Sequence, residues 1–151
     1  MDNWLLALSN APCLWGMVVA GGVLDHSTAL IVLIAGMFSF VFHLGESGRH
    51  GLVGYLALEH SEVMYWHTLD LLGVSMVIGR MIYLIGYDQL FPFLSAHIGL
   101  TGILGLALIL NLVSERFPPI AQYPRRYAIV HSLWHVSIFS LLGLTLKAIY
   151  N

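Results

Sequence analysis

Apolar residues in this chain fall into five long blocks separated by short polar breaks. A helix that crosses a bilayer needs roughly 20 predominantly apolar residues, and residues 4–24, 28–44, 67–87, 93–113 and 127–149 come close to or meet that length. The pattern predicts an all-α, polytopic transmembrane bundle of about five spans, forming one integral membrane domain over residues 1–151. The first block holds Asn10 and Pro12 and a small-residue patch at Ala20-Gly21-Gly22. It starts almost at the first residue without a basic stretch ahead of it, which reads as a retained span and not a cleaved signal peptide.

Between the second and third blocks, residues 45–66 carry Glu46, Arg49, His50, Glu59, His60 and Glu62. That density of ionisable groups excludes a lipid-exposed span. A re-entry loop is expected there, with a short interfacial helix over residues 52–58, where Tyr55, Tyr65 and Trp66 suit the headgroup belt. Residues 86–92 read as a turn, and residues 114–126, with Pro118, Pro119 and Pro124, as a polar loop.

Composition agrees with the pattern. Hydrophobic residues make up 58% and charged ones 9%, against about 25% charged in soluble domains, and mean hydropathy is +0.83. A net charge of -2 with 6 thinly spread Lys and Arg residues offers nothing to a nucleic acid. The lone Cys13 cannot form an intrachain disulfide. Eight histidines are the unusual count, because histidine within a span needs a partner or a function.

His131 and His135 stand four residues apart, so they share one helix face. Such a pair is a common zinc half-site, and equally a pair of interhelical hydrogen-bonding residues. Ser39 and His43 have the same spacing at the end of the second block, and Asp70 lies near the start of the third. Because helix direction alternates with each crossing, all five residues fall on one side of the membrane. At ~1.5 Å per residue, His131 and His135 lie roughly 6 and 12 Å inside a boundary at residue 127, a depth that suits chemistry on a lipid. Three imidazoles make an open tetrahedral zinc site with a water in the fourth position. Asp70 is placed to take the proton of that water, and Ser39 to hydrogen-bond the water or a developing oxyanion.

This Ser-x-x-x-His, Asp, His-x-x-x-His order resembles the superfamily of seven-helix membrane hydrolases that groups alkaline ceramidases, progestin/adiponectin receptors and the GPI-anchor remodelling proteins. The His-Ser-Leu-Trp-His wording of residues 131–135 and the Asp-Leu-Leu-Gly of residues 70–73 are most similar to its myomaker-like branch, which includes a proposed GPI-specific phospholipase. The resemblance implies that His43, His131 and His135 bind Zn2+, that Ser39 and Asp70 complete the site, and that the substrate is an acyl lipid, through a lipid amide or ester. It covers residues 39–135. Five predicted spans instead of seven leave parity intact and thin the bundle wall, which points to a shortened relative, a homodimer that restores the wall, or an incomplete gene product.

His67, three residues before Asp70, is the alternative ligand. His97 reads as a hydrogen-bonding residue of the bundle at the opposite face. His26, His50 and His60 read as solvated, with weak metal binding conceivable for His60 between Glu59 and Glu62. Arg80 is expected to pair with Asp88 or to snorkel, and Gly99, Gly102 and Gly105 to form a packing face. Arg49, Arg116, Arg125 and Arg126 lie on the side of the site and Arg80 and Lys147 towards the other, which favours a cytosolic site. Two other functions fit the histidines: a bis-His haem electron carrier, and a non-catalytic membrane scaffold or receptor with a structural metal.

Overall fold

The computed structural model describes residues 2–22, 25–46, 52–56 and 58–150. Eight helices follow in order: α1 (Asp2–Leu8), α2 (Cys13–Gly22), α3 (His26–Gly45), α4 (His60–Ile85), α5 (Leu90–Ala96), α6 (Ile98–Arg116), α7 (Pro118–Ala121) and α8 (Pro124–Tyr150). There is no strand among the described residues. Five helical stretches are long and apolar enough to cross a membrane: Asp2–Gly22, His26–Gly45, His60–Ile85, Ile98–Arg116 and Pro124–Tyr150. This is a multi-pass transmembrane helix bundle.

The first span is broken where the sequence places Asn10 and Pro12, so α1 and α2 are separate helices joined through tight turns at residues 9–12. Proline lacks the N–H that an unbroken helix would need there. α1 packs on α3 and α8, and α2 packs on the same two helices. Beyond them α4 leans on α3, while α6 leans on α8.

Small residues set the closest approaches. A Cβ added at Gly73 of α4 would meet the Ala35 Cα of α3 at 2.9 Å. Only a glycine lets the two backbones come that near, and Gly73 lies one turn after Asp70. The Gly73–Ala35 contact therefore fixes how deeply α4 presses Asp70 towards α3.

At the end of the bundle remote from His43, Asp25 caps α3 by accepting from the Thr28 N–H at 3.0 Å. Its carboxylate also takes hydrogen bonds from the Thr28 and Tyr150 hydroxyls and pairs with Arg80 at 3.0 Å. The Arg80 Nε donates to the Thr28 Oγ1 at 2.8 Å. Burial raises the Asp25 carboxyl, but these hydrogen bonds and the Arg80 charge outweigh it and hold the group well below the usual carboxylate range. One acid thereby ties together the start of α3, the body of α4 and the last residue of α8.

Several sequence expectations are corrected. Residues 52–56 form no helix; the Tyr55 N–H donates to the Leu44 carbonyl at 2.8 Å and ties the passage to the end of α3. The third span begins at His60 and not at residue 67, because Glu62 accepts the Glu59 N–H at 2.9 Å and closes a capping box. The fourth span starts at Ile98, after α5 and a break at His97, whose Nδ1–H donates to the Phe93 carbonyl at 2.9 Å. His97 is thus a local cap, not an interhelical bridge. Residues 114–126 contain α7 and the first turn of α8, entered at Pro124, where proline suits the first helical position. Arg80 pairs with Asp25, not Asp88. Gly99, Gly102 and Gly105 meet nothing within 4 Å of an added Cβ, so among the described residues no other helix packs against them. Arg49 and His50 lie outside the described residues.

Two outcomes follow for stability in detergent. Gly73→Ala forces α4 off α3 and is expected to cost about 1–3 kcal/mol, read as a lower Tm; an unchanged Tm would contradict the close crossing. Arg80→Met leaves the Asp25 charge without its partner and is expected to cost roughly 2 kcal/mol or more. An equal stability of Arg80→Met and Asp88→Asn would contradict the Asp25 assignment.

Candidate metal centre

Five side chains from three helices meet at the α1 end of the bundle: Ser39 and His43 from α3, Asp70 from α4, His131 and His135 from α8. All five are buried, and His43 and His135 are each 1% exposed. The three imidazoles offer one nitrogen each, all within 4.8 Å of one another. The rings stand edge to face, with centroids 5.2 Å apart for His43 and His131 and 4.8 Å for the other two pairs. Ligands of a tetrahedral ion at about 2.0–2.1 Å stand somewhat closer than that, within reach of small side-chain rotations.

The second nitrogen of each ring explains why the three point inward. Ser9, in the break between α1 and α2, donates its hydroxyl to the Leu6 carbonyl at 2.6 Å. Its oxygen is left to accept from the His135 Nδ1–H at 2.8 Å. Ser114, at the end of α6, likewise donates to the Asn111 carbonyl at 2.9 Å and accepts from the His131 Nδ1–H at 3.1 Å. The Glu115 carboxylate stands 3.3 Å from the same nitrogen and also accepts from the Tyr127 hydroxyl at 3.2 Å. Glu46 accepts from the His43 Nδ1–H at 3.0 Å. In every case the proton belongs on Nδ1, which leaves Nε2 as the lone-pair nitrogen.

The Nε2 atoms of His43 and His135 are buried and have no protein partner among the described residues. A buried polar atom left unpaired costs about 1–3 kcal/mol, and an ion accepting both lone pairs would remove that cost. The donor set is therefore one that a divalent, nitrogen-preferring metal fits.

Asp70 is buried, with the Ser39 hydroxyl and the His43 and His67 rings near enough to act on its carboxylate. Its Oδ1 has no hydrogen-bond partner among the described residues. His67, the alternative ligand, lies beside Phe42 with ring centroids 5.0 Å apart and is not one of the three clustered imidazoles. The structure thus brings together Ser39, His43, Asp70, His131 and His135, and puts His67 at their margin.

A cavity of about 280 Å³ opens from this centre between the α3–α4 and α6–α8 pairs. Ser39 and His135 line one end, and the walls are apolar residues such as Val77, Met81, Leu104 and Ile138. Four lining residues carry a polar side-chain atom: Ser39, Trp134, His135 and Thr145.

A family model described as a protein of unknown function, DUF3522, matches residues 1–116, more than half the chain. The chain belongs to the DUF3522 family. The match takes in Ser39, His43 and Asp70 and stops before the His131–His135 pair. An uncharacterised protein of Acanthamoeba polyphaga mimivirus is similar, 27% identical over 152 residues that cover 99% of this chain and 99% of its own length. No solved structure matches.

Sequence reasoning missed the residues that hold the second nitrogens. Glu46 carried a signal, since it follows His43 by three positions on a helical path. Ser114 and Glu115 sit in what reads as a polar loop, and Ser9 is one hydroxyl in an apolar run; neither position points to a histidine 17 or 126 residues away.

Proposed function

We propose that this DUF3522 protein is a zinc-dependent intramembrane hydrolase of a lipid amide or ester. The observation that carries the reading is that Ser39 and His135, one of the three clustered imidazoles, line a largely apolar cavity within the membrane-spanning bundle. An acyl chain fits such walls, and its polar linkage would then rest where the polar side chains are. The ordered resemblance to membrane hydrolases supports the same reading.

His43, His131 and His135 would hold the metal through Nε2 and leave the fourth position open. A zinc ion there would acidify a bound water to a pKa near 7 and polarise a carbonyl. Asp70, with its Oδ1 uncommitted, takes the proton of the attacking water and returns it to the leaving group. Ser39 faces the cavity, where its hydroxyl would donate to the carbonyl under attack. Water is otherwise kept out by the apolar walls, which strengthens each of these charges.

A haem carrier is disfavoured by the packing. Ring centroids only 4.8–5.2 Å apart in three directions leave no slot for a planar macrocycle between facing histidines. Retention of a metal for scaffolding alone gives Asp70 no task.

Full-length protein purified in detergent is expected to carry about one zinc per chain, measured by plasma mass spectrometry, and the His131→Ala/His135→Ala double variant to carry none. Zinc at equal levels in both would sink the reading. Asp70→Asn is expected to keep its zinc and lose about 10²–10⁴-fold in fatty-acid release from a panel of ceramides and glycerophospholipids. Unaltered turnover in that variant would assign the metal to structure.

A further inference from the structure

Glu46 is a fully buried acid beside the centre that the proposed chemistry does not use. It is the C-cap of α3, a task its backbone N–H performs alone by donating to the Phe42 carbonyl at 2.7 Å. Nothing in capping requires its carboxylate to be buried, yet the residue is 0% exposed. One oxygen, Oε2, takes the His43 Nδ1–H at 3.0 Å. The other, Oε1, has no partner among the described residues. Placing a carboxylate out of water is costly unless a positive charge stands near it. Its single hydrogen bond is made to the outer nitrogen of His43, whose Nε2 is buried without a partner among the described residues.

The backbone around Glu46 is held as firmly as the side chain. The Asn3 amide of α1 donates to both the His43 and the Glu46 carbonyl, each at 2.8 Å. Asn3 grips the two ends of the same helical turn, and Asn3 is itself buried. α1 therefore fixes the turn that carries ligand and carboxylate together, while Ser9 at its far end fixes His135.

We propose that Glu46 is the positioning residue of the metal centre, holding His43 in the Nδ1–H form and aiming its Nε2 at the ion, with Asn3 clamping the turn that joins them. The proposal rests on the metal reading above. A carboxylate on the outer nitrogen of a metal-bound imidazole orients the ring and makes it a better donor, and losing such a partner commonly costs 10–100-fold in metal affinity. Glutamine keeps an acceptor oxygen and discards the charge, so it separates the electrostatic contribution from mere packing.

The test is zinc affinity of the detergent-purified full chain, by competition with a chromophoric chelator, alongside the visible spectrum of the cobalt-loaded protein. Glu46→Gln is expected to fold, to bind zinc about 10–100-fold more weakly and to show displaced cobalt bands. Wild-type affinity with an unchanged cobalt spectrum in Glu46→Gln would overturn the proposal and leave the metal reading standing. Wild-type protein that binds neither metal would remove both. Should Glu46→Gln not fold, Asn3→Ala carries the test: a loss of about fivefold or more in affinity supports the clamp, and an unchanged value overturns it.

Discussion

An imidazole inside an apolar bundle has two nitrogens to satisfy and no water to satisfy them. Here three imidazoles share that constraint. Each gives its Nδ1–H to an acceptor supplied from outside its own turn or from the very end of its helix: Ser9 for His135, Ser114 with Glu115 for His131, Glu46 for His43. Once those bonds are made, the Nε2 atoms of His43 and His135 are left with no protein partner among the described residues. The metal reading follows from those two atoms together with the His131 ring, which offers a third nitrogen within 4.8 Å of them.

The rest of the bundle serves that arrangement. The break in the first span turns Ser9 towards His135 and lets α1 lie across α3 and α8, where Asn3 grips the His43 turn. Gly73 allows α4 to seat Asp70 against α3 at the depth of Ser39. At the other end the Asp25 cluster binds α3, α4 and Tyr150 of α8, so the α3–α4 pair is held to the α8 side at both ends with the cavity between. A bundle of five spans gains a pocket by leaving the space between two helix pairs unfilled.

Much of this was legible in the chain. Five apolar blocks gave five spans, and the parity of crossings alone put Ser39, His43, Asp70, His131 and His135 on one side. What hydropathy could not give was polar pairing over distance. Arg80 sits near Asp88 along the chain, yet it bonds Asp25, 55 residues earlier, because antiparallel neighbours place the start of α3 beside the end of α4. The start of α4 was misplaced by two turns because ionisable residues 59–66 read as loop, whereas Glu59 and Glu62 are the cap that starts a helix. Residues 52–58 carry Tyr55, which suits an interface, but the Tyr55 and Leu56 N–H groups of that stretch both donate to the Leu44 carbonyl. The anchors Ser9 and Ser114 were illegible for the same reason as Asp25: one hydroxyl or one acid among apolar residues does not name its partner.

Zinc K-edge X-ray absorption on the full chain in detergent addresses the three-imidazole convergence most directly. The account predicts a first shell of three nitrogen scatterers and one further light atom at about 2.0–2.1 Å, with the outer-ring scattering of imidazole. A shell containing sulfur, a shell with fewer than three imidazoles, or a protein that takes up no zinc would contradict it.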